Sequence, residues 1–196
     1  MQELPRRYIF WVDGVGGFLV CLGAQVRIGQ AAGDADVEIP IFADISRLHA
    51  VLSRDAEGYL LEALRTTKVN HKPADKALLR DGDEIQIGNG CLITFRQPVP
   101  ITTTARLELA SRHRMPLAVN GIILMADSCI FGPSDGAHII VPDLQRTVIL
   151  TRTRKGFHVR TTGELTVDGR RCKDKADLTT TSTVGDNDFR LTLEPL

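Results

Sequence analysis

Three short runs of alternating apolar residues constrain the fold of this chain more than any other feature. The runs cover residues 26–30, 36–40 and 44–52, and Gly, Pro and acidic residues separate them. Apolar side chains at every second position are typical of half-buried β-strands, and the separating residues are typical of turns. Ser46 and Arg47 lie on the loop that enters the third run. A hydroxyl, a guanidinium and free backbone N–H groups on one loop can converge on an anion, so this rim of the predicted sheet is a candidate anion site.

The rest of the chain continues as short strand-like runs. About eleven such runs, with no convincing amphipathic helix among them, favour a β-sandwich. Residues 97–104 contain two prolines followed by a polar run, which interrupts any strand ladder. We therefore predict a first domain at residues 6–97, a linker at 98–105 and a second domain at 106–196.

The second half of the chain repeats the first half in outline. Five segments follow the same order in both halves: 27–29 with 130–132, 36–40 with 138–142, 44–49 with 143–148, 58–59 with 156–157, and 69–71 with 167–169. One such similarity can arise by chance, whereas five in one order favour a shared architecture. The predicted fold class is all-β, with two β-sandwiches in tandem.

Composition and charge exclude several classes of function. Lys and Arg together number 24, as do Asp and Glu, so the formal net charge is zero. A neutral chain has no overall field that attracts nucleic acid or acidic lipid, so we predict no nucleic-acid partner and only a local anion site. The apolar run at residues 8–12 is broken early by Asp13 and three glycines, and no membrane segment is predicted. These observations predict a cytoplasmic protein.

The order of the motifs resembles the forkhead-associated (FHA) domain. An apolar-x-apolar-Gly run ends at Gly29, a strand follows, and then comes Ser46-Arg47-Leu48-His49-Ala50. The resemblance implies a β-sandwich that recognises phosphothreonine peptides. It also implies that Ser46 binds the phosphate, that His49 is structural and braces the loops, and that Gly29 is the structural glycine of the first motif.

Other binding positions of the family match less closely. Gln30 occupies the position of the phosphate-binding arginine, which replaces a charge-assisted hydrogen bond with a weaker neutral one. The loop at residues 64–70 lacks the Asn-Gly-Thr of the family pattern, so two alignments stay open. Counting back from Asn70 places Arg65 over the peptide-binding asparagine, and counting forward places Thr66 and Thr67 over the family's Ser-Thr. The predicted phosphopeptide-binding residues are therefore Gln30, Ser46, Arg47, Arg65, Thr66, Thr67 and Asn70.

Gln30 lacks the positive charge of the family's arginine, and Arg27, Arg47, Arg65 and Lys68 are the basic residues considered as its replacement. Arg27 points from the opposite strand face to Ile28, so it is not assumed to substitute. Arg47, Arg65 and Lys68 either restore the charge together or form a solvated basic rim.

No catalytic, metal or cofactor site is predicted. A Ser46–His49 dyad has unsuitable geometry, because the two side chains point to opposite faces and no acid orients the histidine. The four cysteines are far apart and have no metal-ligand spacing, which favours free thiols. In the second half, the anion-binding positions hold Pro133, Gln145 and Val148, so this half is predicted to be a degenerate copy.

The sequence thus predicts a non-catalytic adaptor of Ser/Thr-kinase signalling. Its first domain would bind a Thr-phosphorylated protein, such as a Ser/Thr kinase or its substrate. The alternative is a phosphate-independent protein-interaction scaffold with degenerate FHA domains.

Overall fold

The regular secondary structure in the described part of the chain consists of β-strands. The computed structural model describes residues 4–33 and 36–196, and this described part contains β-strands and no helix. The strands are β1 (Arg7–Val12), β2 (Gly16–Cys21), β3 (Gln25–Gln30), β4 (Ile39–Ile41), β5 (Ala50–Arg54), β6 (Tyr59–Ala63), β7 (Thr67–Val69), β8 (Lys72–Pro73), β9 (Lys76–Leu79), β10 (Glu84–Ile87), β11 (Cys91–Arg96), β12 (Ala105–Leu109), β13 (Gly121–Leu124), β14 (Ser128–Gly132), β15 (Ile139–Ile140), β16 (Val148–Arg152), β17 (Phe157–Val167), β18 (Arg170–Leu178), β19 (Thr183–Gly185) and β20 (Arg190–Pro195). The predicted all-β fold class is confirmed. A helix capable of crossing a membrane is absent from residues 4–33 and 36–196.

The alternating sequence pattern explains why these segments form strands. In β10 and β11 every second residue is buried, including Ile85, Ile87, Ile93 and Phe95. Successive side chains of a strand point to opposite faces, so such a segment buries one face and leaves the other to polar residues. The sandwich core therefore follows directly from the period-two pattern.

The chain folds into two compact units. We call Gly23–Gln97 with Ala105–Ile122 the inserted unit, and Met1–Leu22, Pro98–Thr104 and Ile123–Leu196 the terminal unit. The inserted unit has one sheet in the order β4-β3-β5-β6-β9, and its other strands follow the order β12-β11-β10-β7-β8. Tyr59 of β6 and Phe95 of β11 connect the two layers by an edge contact, with 5.2 Å between their ring centroids.

The terminal unit repeats these pairings with its own strands. Its order is β15-β14-β16-β17-β19-β20-β1-β2, with β18 paired to β17. β14 pairs parallel with β15 and antiparallel with β16, just as β3 pairs parallel with β4 and antiparallel with β5. Tyr8 and Phe10 of β1 pack edge-on against Phe157 in its core, with ring centroids 5.2 Å and 5.7 Å away.

The hairpin of β1 and β2 belongs to the terminal unit, whereas the predicted boundary placed it in the first domain. β1 pairs antiparallel with β20, so that Tyr8 faces Pro195. The Trp11 indole N–H donates to the Glu194 carboxylate at 2.5 Å. In the inserted unit the position beside β11 is filled by β12. The compact units thus divide the chain differently from residues 6–97 and 106–196, because periodicity identifies a strand without identifying its partner.

The segment predicted as a linker at residues 98–105 is exposed at Pro100 and Ile101 and buried at Thr104 and Ala105. The Thr104 hydroxyl is buried, accepts a hydrogen bond from the Ala126 N–H at 3.0 Å and donates to the Ser128 carbonyl at 2.6 Å. Ala105 is already the first residue of β12. The prolines end strand β11, but the hydroxyls after them satisfy backbone groups of the terminal unit.

Candidate functional site

Five connections of the inserted unit meet at one end, which we call the loop end. They are the start of the β3–β4 connection at residues 31–33, residues 42–49, residues 64–66, residues 88–90 and residues 110–120. Backbone hydrogen bonds link them: Gln30 N to Ser46 O at 3.0 Å, Leu64 N to His49 O at 2.9 Å, Gly88 N to Thr66 O at 3.1 Å, and Phe42 N to Arg114 O at 2.7 Å. The fold therefore brings predicted binding residues from three separate sequence segments to one surface.

His49 holds two of these loops together. Its side chain is 3% exposed. Nδ1 accepts a hydrogen bond from the Ser46 N–H at 3.3 Å, and Nε2 lies 3.0 Å from the Thr66 carbonyl oxygen. Because Nδ1 accepts, the ring proton resides on Nε2 and is donated to Thr66. This buried imidazole connects the loop at 42–49 with the loop at 64–66.

Gly29 allows the 42–49 loop to lie close against β3. A Cβ atom at this position would be 1.8 Å from the Arg47 carbonyl oxygen. Sequence reasoning missed a second glycine, Gly88, which has a φ of 58° and where a Cβ would be 2.9 Å from Ile45 Cγ2. Both glycines permit backbone approaches that a larger residue would prevent.

Ser46 and Arg47 form the accessible part of the 42–49 loop. Ser46 is half-buried and Arg47 is exposed. Within the described residues the Ser46 hydroxyl makes no hydrogen bond, whereas its backbone N–H and carbonyl are both bonded. The backbone is therefore fixed while the hydroxyl remains available to a ligand.

Gln30 is bonded within the protein. Its side-chain Nε2 donates to the Ala43 carbonyl at 3.3 Å, and its backbone N–H donates to Ser46. The side-chain amide of Gln30 is thus hydrogen-bonded to the 42–49 loop, and it places no charge at the loop end.

Arg27 is also engaged elsewhere. It forms ion pairs with Glu38 at 2.8 Å and Asp36 at 2.9 Å. The hydrogen bonds that Arg27 donates to Glu38 and, to a smaller extent, to Asp36 raise the pKa of Arg27 above its ordinary value. Burial by itself would raise the pKa of Glu38, but the hydrogen bonds and charge of Arg27 lower it below 4.5. Arg27 therefore does not supply the charge that is missing at Gln30.

The 64–66 loop and the start of β7 settle which side chains face outward. Arg65 and Thr66 are exposed, and Arg65 Nη1 donates to the Leu64 carbonyl at 2.7 Å. Thr67 is only 4% exposed, and its hydroxyl donates to the Arg65 carbonyl at 2.9 Å. Thr67, one of the predicted phosphopeptide-binding residues, is buried at the start of strand β7, and its hydroxyl shapes the loop.

Asn70, also predicted to bind the phosphopeptide, follows the end of β7 that lies away from the loop end. β7 pairs antiparallel with β10 from Thr67 opposite Ile87 to Val69 opposite Ile85, so Asn70 follows the far end of the strand. Its Nδ2 donates to the Asp83 carboxylate at 2.8 Å, and its Oδ1 accepts from the Glu84 N–H at 3.0 Å. With a φ of 49°, Asn70 forms the turn after β7.

The corresponding end of the terminal unit carries different side chains. Val148 is buried opposite Phe131, as Ala50 lies opposite Ile28 in the inserted unit, and the Gln145 amide donates to the Asp143 carbonyl at 3.3 Å. Arg146 forms an ion pair with Asp186. The basic side chain of this loop is therefore neutralised within the protein.

The geometry defines a β-sandwich with a loop-borne candidate anion site, and comparison with known proteins shows which family it resembles. The family model described as FHA domain matches residues 26–88, which lie within the inserted unit. The FHA-2 domain from a Mycobacterium tuberculosis ABC transporter is 32% identical over 45% of this chain and 76% of that domain, with a TM-score of 0.36. Residues 26–88 are therefore similar in sequence to FHA domains.

Two further solved structures are similar to part of the chain. One is Mycobacterium tuberculosis EmbR in complex with a low-affinity phosphopeptide, 27% identical over 46% of this chain and 24% of that one, with a TM-score of 0.35. The other is the FhaA FHA domain complexed with the intracellular domain of another protein, 26% identical over 41% of this chain and 91% of that one, with a TM-score of 0.30. No curated protein matches the chain.

Proposed function

We propose that this protein is a non-catalytic adaptor that binds a threonine-phosphorylated protein at the loop end of the inserted unit. The observation that carries the proposal is the Ser46 hydroxyl, which makes no hydrogen bond to any residue of 4–33 or 36–196 and lies on a fixed loop beside the exposed Arg47. A phosphate group offers several acceptor oxygens and nearly two negative charges, so a hydroxyl, backbone N–H groups and guanidinium groups suit it.

The similar proteins support this choice of ligand. EmbR is described in complex with a phosphopeptide, and the FhaA domain in complex with a protein partner. By analogy, the partner of this chain is a Thr-phosphorylated protein such as a Ser/Thr kinase or its substrate, and the protein acts in Ser/Thr-kinase signalling in the cytoplasm.

We assign the terminal unit a supporting role. Its strand pairings support a second, degenerate sandwich of the same plan. It has Gln145 where the inserted unit has Ser46, and its Arg146 is paired with Asp186. These substitutions favour packing or protein contact over phosphate binding.

A phosphate-independent scaffold is the second candidate, and Gln30 favours it. Family members place an arginine at this position, whereas here the Gln30 amide is bonded to Ala43. Loss of one charged hydrogen bond costs about 1.5–3 kcal/mol, or roughly tenfold to a hundredfold in affinity.

A peptide-binding experiment separates the two candidates. A degenerate phosphothreonine peptide library and its unphosphorylated counterpart are titrated into the full chain. We expect preferential binding of the phosphorylated library, and about tenfold weaker binding after Ser46→Ala. Ser53→Ala is the matched control, because Ser53 lies toward the other end of β5 and contacts Gln25. Equal binding of both libraries, unaffected by Ser46→Ala, would exclude the phosphopeptide adaptor and favour the scaffold.

A further inference from the structure

The connection between β12 and β13 places a basic segment at the loop end of the inserted unit. This segment, residues 110–120, contains Arg112, His113 and Arg114. It lies more than fifty residues along the chain from the Ser46 loop, and outside the segment 26–88 that matches the family model. β12 runs antiparallel to β11, so its last residue, Leu109, lies opposite Ile93 near the turn at residues 88–90. The hairpin therefore turns at the same end as the candidate phosphate site.

Backbone and side-chain contacts fix this segment in place. The Arg114 carbonyl accepts a hydrogen bond from the Phe42 N–H at 2.7 Å. The Ser111 hydroxyl accepts from the Leu92 N–H at 3.1 Å and lies 2.8 Å from His113 Nδ1. Met115 is buried with 8% of its surface exposed. A segment that is already ordered loses little conformational entropy when it binds a ligand.

Arg114 lies close to the position where the charge is missing. Gln30 pairs with Ile41 in the sheet, and the next residue, Phe42, pairs with Arg114. Two strand spacings of about 4.8 Å each therefore separate the backbone of Gln30 from that of Arg114. The length of an arginine side chain is sufficient to cover much of this distance.

The two arginines are accessible. Arg112 and Arg114 are exposed, and within residues 4–33 and 36–196 no ion pair engages either guanidinium. In the terminal unit the corresponding β1–β2 connection has only Asp13, Gly14 and Val15, with no basic residue. The basic segment is therefore present in the inserted unit, whereas the corresponding connection of the terminal unit lacks it.

We propose that residues 110–120 are an additional recognition loop, in which Arg112 and Arg114 supply the positive charge that Gln30 lacks toward a phosphothreonine peptide. This inference rests on the proposed function. It identifies the ligand as an anionic phosphopeptide held between residues 42–49, residues 64–66 and the 110–120 segment. It also assigns phosphate recognition to a strand hairpin that the family match does not include.

The test uses the full chain and the phosphopeptide that binds best from the phosphothreonine library. The double variant Arg112→Gln/Arg114→Gln should bind about tenfold to a hundredfold more weakly, with a smaller salt dependence. Arg112→Lys/Arg114→Lys keeps the charge and should retain most of the affinity. The matched control is Arg80→Gln, because Arg80 is an exposed arginine in the turn before β10, at the opposite end of the unit. Thermal unfolding checks that each variant is folded.

Four outcomes of these titrations support or overturn the proposed role of residues 110–120. Loss of affinity in the glutamine variant alone supports the proposal. A wild-type protein that prefers the phosphopeptide, with unchanged affinity in the glutamine variant, would overturn the role of the loop and leave the proposed function intact. An equal loss in the lysine and glutamine variants would overturn the role of charge. No preference of the wild type for the phosphorylated library would overturn the proposed function and this inference with it.

Discussion

The loop end of the inserted unit and the corresponding end of the terminal unit rest on similar strand pairings but carry different chemistry. In the inserted unit the buried His49 links two loops, and the Ser46 hydroxyl is accessible. In the terminal unit Val148 is buried in the core, and Arg146 is paired with Asp186. The apolar faces of the strands maintain the sandwich in both units, so the loop residues are free to diverge. Similar architecture thus coexists with one candidate binding site and one neutralised surface.

The largest expected effect concerns which strands complete each unit. A fragment of residues 23–122 should fold cooperatively, because it contains strands β3 to β12, including β12 beside β11. A fragment of residues 6–97 should be poorly folded, because β11 loses β12 and the hairpin of β1 and β2 loses β20. Amide dispersion in NMR spectra measures this. A well-dispersed 6–97 fragment beside an unfolded 23–122 fragment would contradict the assignment of the hairpins.

The next effect compares equivalent glycines of the two units. Gly29→Ala should destabilise the inserted unit by about 3 kcal/mol or more, because the new Cβ would overlap the Arg47 carbonyl. Gly132→Ala should cost about 0.5 kcal/mol or less, since the nearest atom, Ala137 Cβ, is 3.4 Å away. Urea unfolding of both variants provides the measurement. Equal costs at the two glycines would show that the 42–49 loop does not depend on its close approach to β3.

A smaller effect is expected when the hydrogen bonds of His49 are removed. His49→Val removes both hydrogen bonds of the imidazole and should destabilise the protein by about 1–3 kcal/mol while weakening peptide binding. Calorimetry and peptide titration are measured on the same preparation. Weaker binding with an unchanged melting temperature would instead indicate direct contact of His49 with the ligand.

The smallest effect concerns the ion pair beside the loop end. The pKa of Glu38 is lowered in the folded protein, so its contribution to stability is present above the ordinary value of 4.5 and is lost as the pH falls through the lowered value. We expect Glu38→Gln to remove up to about 1 kcal/mol at neutral pH and to reduce the acid sensitivity of unfolding. Glu57→Gln is the control, because Glu57 is exposed in the turn before β6. The same pH dependence in both variants would argue against a role for the Arg27–Glu38 pair.

Much of the fold and part of the site could be predicted from local sequence. Strands such as β10 and β11 follow from the alternation of buried and polar residues. The motif from Ser46 to His49 places a hydroxyl and an imidazole on one loop, and Gly29 identifies the strand that this loop approaches. Each of these features depends on residues that are close in the sequence.

The tertiary structure alone decided the features that depend on distant pairing. In the folded protein β1, the first strand of the hairpin at residues 7–21, pairs with β20, and β11 pairs with β12. Because of the register of β7 against β10, Thr67 is buried and Asn70 follows the end of β7 that lies away from the loop end. The same pairing of β12 brought Arg114 beside Phe42. Periodicity shows which face of a strand is buried, but the choice of neighbour depends on complementary faces from distant parts of the chain.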